Sequence, residues 1–134
     1  MRKIIFTAAA ALFALSACNE KDDTSVSSVA AADASQRIGY FASHGWETEE
    51  ISEKNVTIPE TFSEVYEEYA VMQDKQGLPL RRYAGRNAIL YVYEVKNYSP
   101  QNKKMLAELL VCDNTAVASM IYSEDSGSIR MSVS

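Results

Sequence analysis

The chain predicts an α+β domain, in which two N-terminal amphipathic helices pack on a C-terminal antiparallel β-meander of about four strands. Three observations carry this. Apolar stripes of helical period run between Asp33 and Gly77, alternation of period two takes over from Asn87, and Asn, Asp and Gly clusters separate the alternating runs. Neither a helical stripe nor a one-faced meander can bury its apolar side alone, so the two should cover each other.

The first element is an address rather than part of the fold. Arg2 and Lys3 precede an apolar run over residues 4–15, which ends in Leu15-Ser16-Ala17-Cys18. Such a run is too short for a bilayer that needs about 20 residues, and its basic start and small-residue end fit a cleaved signal peptide. The last four residues resemble a bacterial lipobox, so residues 1–17 are expected to be removed and Cys18 to carry a diacylglyceryl group. Each buried methylene contributes about 0.8 kcal/mol, and a pair of acyl chains holds durably where a single one does not. The expected location is extracytoplasmic, with lipid anchoring the chain to the cell membrane. Loss of Arg2 and Lys3 takes the net charge from −5 to −7. So acidic a protein repels phosphate backbones, which argues against nucleic acid as a partner. Acylation of Cys18 leaves Cys112, within Leu109-Leu110-Val111-Cys112, without a disulfide partner and reading as a small buried hydrophobe.

Residues 18–32 are polar at first and lack an apolar period, which predicts a flexible tether. About a hundred residues, 33–134, then form a single domain. Asp33 and Gln36 suit the start of a helix as a capping box, and Gly45 suits its end, with Ala34, Ile38, Phe41 and Ala42 as the apolar stripe. The lone His44 at that end reads as a cation favoured by the helix dipole. Residues 46–58 predict one or two short extended pieces. Pro59 suits the first turn of a second helix running to about Gln76, with Phe62, Val65, Tyr66, Tyr69, Met72 and Gln73 buried and Gly77 as the stop.

Residues 87–96 alternate Ile89, Tyr91, Tyr93 and Val95 against Leu90, Val92, Glu94 and Lys96, which reads as a strand. Residues 105–112 predict the next strand and residues 117–122 a third, joined through Asp113-Asn114 as a two-residue hairpin turn. After Glu124-Asp125-Ser126-Gly127, a last strand places Ile129, Met131 and Val133 on one face.

Val56-Thr57-Ile58-Pro59 together with Phe62, Val65-Tyr66, Tyr69, Gln73, Gly77, Leu80, Tyr83, Gly85, Tyr91, Tyr93, Val95 and Asn97-Tyr98 resembles domain of unknown function 4830, found in exported bacterial proteins. The likeness spans roughly residues 36–134 and departs from the family pattern at Ala70 and Pro79. It implies an exported domain and brings no catalytic residues.

No nucleophile elbow, paired-histidine helix, paired cysteine ligands or glycine-rich phosphate loop occurs in the sequence, so no catalytic residue, metal ligand or cofactor is assigned. What stands out is tyrosine, whose ring fills a core while its hydroxyl seeks a partner at a rim. Tyr83, Tyr91, Tyr93 and Tyr98 are the candidate binding surface. The favoured function is a non-catalytic envelope lipoprotein that binds a protein, peptide or glycan partner through a tyrosine-rich sheet face. The alternative is a small hydrolase built on carboxylates such as Glu94, Glu108 and Glu124.

Overall fold

The computed structural model describes residues 28–134. The expected signal peptide at 1–17, Cys18 and most of the expected tether lie outside them. Helix α1 (Ala34–Ser43) leads into strand β1 (Thr48–Thr57), helix α2 (Glu64–Gln76), and strands β2 (Asn87–Val95), β3 (Met105–Cys112), β4 (Thr115–Ser123) and β5 (Arg130–Met131). The five strands form one antiparallel sheet in chain order. The fold class is α+β, but the helices are interleaved with strands. One continuous ten-residue strand, β1, separates them, pairs with β2 over its full length and carries a bulge at Ile51.

Alternation along β2 sends its side chains to two different cores. Tyr91, Tyr93 and Val95 join Tyr40 and Phe41 of α1 with Met105, Ala107, Leu109 and Ile121. Ala88 and Leu90 face the other way, where Ala70, Tyr66 and Tyr69 of α2 meet Leu110, Val117 and Ala118. The helices therefore cover opposite faces of the sheet.

The caps follow the local chemistry. The Asp33 side chain accepts from the Gln36 amide at 2.8 Å, while the Gln36 side chain reaches back to the Ala32 amide at 2.8 Å. The stripe of α1 differs from expectation. Ala34, Ile38 and Ala42 are exposed, and the buried face is Arg37, Tyr40 and Phe41. Arg37 goes inward because its guanidinium lies 3.8 Å over the Tyr91 ring and bonds Glu50 at 3.3 Å.

Helix α2 begins at the Ser63 cap rather than at Pro59. The backbone of residues 58 and 59 is tied by hydrogen bonds to residues 85 and 86, just before β2, so it cannot wind into a helical turn. Gly77 ends α2 in the left-handed region at φ 76°.

Strand β3 has the expected bounds, and Asp113 and Asn114, at φ 53° and 61°, make the hairpin turn into β4. The last strand shrinks to Arg130–Met131, although Ile129, Met131 and Val133 all pack on the α1 side. This leaves half of the β4 edge without a neighbouring strand, and two devices seal it. Residues 29–31 pair with it, through Ala31 to the Asn114 carbonyl and Ala116 to the Val29 carbonyl at 2.9 and 2.8 Å, so residues before 33 take part in the fold. Farther along, the buried Gln73 amide imitates a strand. It donates to the Ser119 carbonyl at 3.0 Å and accepts from the Ser119 amide at 2.8 Å. Gln76 extends this network to the Val133 amide, and Tyr40 shares a hydrogen bond with the Ser119 hydroxyl at 2.8 Å.

Candidate functional site

Strand β3 reads Met-Leu-Ala-Glu-Leu-Leu-Val-Cys, and both of its faces are covered by the fold. Glu108 is the one charged residue in that run. Alternation turns its side chain toward α2, opposite Val92 on β2 and Met120 on β4. There the Tyr69 hydroxyl donates to Oε2 at 2.9 Å, a bond set by the helical phase that also puts Tyr66 beside Tyr69. The two rings are 5.4 Å apart, and Phe62 backs Tyr66 at 4.8 Å.

Two hollows meet at Tyr66, Tyr69 and Glu108. The larger, about 360 Å³, is completed by Val65, Glu68, Met72, Met120 and Arg130. The smaller, about 270 Å³, has walls of Val56, Ile58, Pro59, Leu90 and Leu110, with no charged group beside Glu108. Together they form a groove under α2 that is mostly apolar, with the Glu108 carboxyl on its floor and Glu68 and Arg130 lining its wider part, and apolar walls with a few polar groups are the usual make-up of a binding site.

Burial pushes the Glu108 carboxyl above its ordinary range, against the opposing pull of the Tyr69 hydrogen bond. Tyr69 is driven well above the ordinary tyrosine value, first by burial and then by the Glu108 charge. Tyr66 and Tyr122 are raised for the same two reasons. Among the described residues, neither Glu108 nor Arg130 makes an ion pair.

The four tyrosines expected to form a binding surface are not brought together. Tyr91 and Tyr93 are 7% and 0% exposed, because their side of β2 is the one α1 covers, so neither ring is a surface group. Tyr83 is half-buried on the α2 side with the Arg86 guanidinium 5.4 Å above its ring. Tyr98 stands apart, half-buried at 5.6 Å from Trp46, whose indole donates to the Val133 carbonyl at 2.8 Å. Tyr66 and Tyr69, expected to be core, do pack against the α2-side core, but they are half-buried and also line the groove. The sequence signal for this site is a glutamate in the middle of an otherwise apolar strand.

The three carboxylates weighed for a hydrolase have separate partners. Glu94 lies 3.5 Å from Lys96, Glu124 lies 3.5 Å from Lys104, and Glu108 has Tyr69. Cys112 is buried, its thiol donates to the Asn87 carbonyl at 3.2 Å, and burial raises its pKa, which makes it a poor nucleophile. His44 is exposed at the end of α1 with the Tyr40 ring 5.2 Å away. Among the described residues, no group of three or more His, Cys, Asp or Glu could hold a metal ion, and no helix is long and apolar enough to cross a membrane.

Neither the curated proteins nor the solved structures contain a match to this chain. A family model does match, over residues 40–121, a span that runs from Tyr40 in α1 to Ile121 in β4 and takes in Tyr66, Tyr69 and Glu108. That is more than half of the chain, which therefore belongs to the family described as domain of unknown function (DUF4830).

Proposed function

We propose that the chain is a cell-envelope lipoprotein, anchored outside the membrane through lipid on Cys18, whose domain binds a partner in the groove under α2. The anchor rests on the basic start, short apolar run and lipobox of residues 1–18. The binding role rests on one observation: Tyr66, Tyr69, Met72 and Met120, all half-buried, line a hollow around a half-buried carboxyl without an ion-pair partner among the described residues. Apolar walls with one oriented polar group give a ligand both affinity and direction. Envelope protein, peptide and glycan are the partner classes this location supplies.

A photo-crosslinking residue replacing Val65, which is 69% exposed at the lip of the groove, tests the role in cells producing the full chain. An adduct is expected from that position and not from Ile51, 50% exposed on β1. Equal labelling at both positions, or at neither, would contradict the groove as the binding surface.

The carboxylate hydrolase is the second reading, favoured because Glu68 lines the same hollow as the raised Glu108 carboxyl. It requires hydrolysis that both Glu68→Gln and Glu108→Gln abolish.

A further inference from the structure

We propose that the ligand carries an alkylammonium group, which pairs with Glu108 while its methylenes lie in the smaller hollow. This rests on the reading that the groove under α2 is a binding site, and it names what the groove takes.

Glu108 is half-buried and lacks a counter-ion among the described residues. Its one hydrogen bond comes from Tyr69 and goes to Oε2, which leaves Oε1 to accept from a ligand. A carboxylate so placed is poorly solvated, and a cation entering beside it restores what burial removed. Two tyrosine rings flank the carboxyl, and ring faces attract cations, so an ammonium is favoured there over a neutral or anionic head group.

The hollows differ in what they admit. Arg130 lines the larger one and repels a cation approaching from that side. The smaller one offers Val56, Ile58, Leu90 and Leu110, apolar walls suited to a short methylene chain. The groups that face Glu108 are Tyr66, Tyr69 and Glu68 from α2, Tyr122 from β4 and Arg130 from β5. None of the tyrosines ionises near neutrality, so the pH dependence is one of carboxyl protonation, and the part that Glu108→Gln removes is that of Glu108.

The test is binding of n-butylammonium and of its uncharged counterpart n-butanol to the full chain, followed by chemical-shift changes at Tyr66, Tyr69 and Leu90. The ammonium should bind and the alcohol should bind at least about tenfold more weakly, as an ion pair reinforced by hydrogen bonding requires. Binding should fade as the pH falls and Glu108 takes up its proton. Glu108→Gln, whose amide oxygen still accepts from Tyr69, should lose about tenfold or more in affinity. Val56→Lys places an alkylammonium in the same hollow and should block the added probe without touching Glu108. An Nα-acetyl-lysine amide binding more tightly than n-butylammonium would identify a peptide-borne lysine as the source, and the reverse a free amine. Equal binding of alcohol and ammonium, unchanged affinity in Glu108→Gln, or no shift with either probe would overturn the proposal. Crosslinking at Val65 in the face of such a result would show that the groove binds a different class of ligand.

Discussion

Tyr93 fills the α1 core with its ring, yet its hydroxyl is buried near Arg37 and Glu50 without a hydrogen bond of normal geometry. Ring and hydroxyl should therefore separate cleanly in unfolding experiments. Tyr93→Phe should stay within about 1 kcal/mol of the parent, because no bond is lost. Tyr93→Ala should cost about 3 to 5 kcal/mol by leaving a cavity. Glu108 gives a second residue-scale prediction. Its folded-state pKa lies above that of the unfolded chain, so the folded state holds the proton more tightly. The resulting stabilisation is complete below the ordinary glutamate range and is lost as the pH rises through the raised value. Glu108→Gln cannot ionise, so its urea midpoint should gain on the parent as the pH is raised from acid to neutral. A constant difference across that range would show Glu108 to be as well solvated as a surface glutamate. At this scale the chemistry was half legible. A glutamate among Leu106, Leu109 and Leu110 marks a special position, but its meeting with Tyr69, 39 residues away in sequence, is a product of the fold.

Elements whose signals are local matched expectation best. Strand β3 and the Asp113-Asn114 turn depend on period-two patterning and on residues that accept positive φ. Strand β1 lacks such a signal. It is an edge strand, exposed along most of its length and rich in Glu and Lys, and pairing with β2 rather than alternation makes it a strand. The buried face of helix α1 differs from the expected stripe for a related reason: Arg37 is buried through its stacking on Tyr91, a contact that hydropathy does not register. Gln73 is the element-scale residue with the largest expected effect. It completes the β4 ladder at Ser119 from a helix, so Gln73→Leu strands the buried Ser119 amide, while the Ser119 carbonyl keeps its bond from the Gln76 side chain at 3.0 Å. About 1 to 3 kcal/mol should be lost for the amide left unpaired. Hydrogen exchange at the Ser119 amide should quicken more than at Ala107 in the sheet centre. Equal quickening at both sites would mean that Gln73 supports the whole domain rather than this edge.

At the scale of the molecule, one small sheet is covered on both faces and stitched at its open edge by the segment that leads in from the N-terminus. That segment docks at residues 29–31 beside the Asp113-Asn114 hairpin, so on the proposed reading this end of the domain is nearest the lipid. Residues 18–28 can span at most roughly 35 Å when fully extended, so on the same reading the lipid would lie within that distance of the domain. The two-layer arrangement expected from the sequence became two cores because β2 is apolar on both sides at its start, and patterning alone does not say which helix takes which side. The central claim, an exported domain held by lipid, is tested most directly by the intact mass of the chain extracted from membranes of cells that produce it. The expected species begins at Cys18 and carries a diacylglyceryl group. A species that begins at Met1 with an unmodified Cys18 would contradict it.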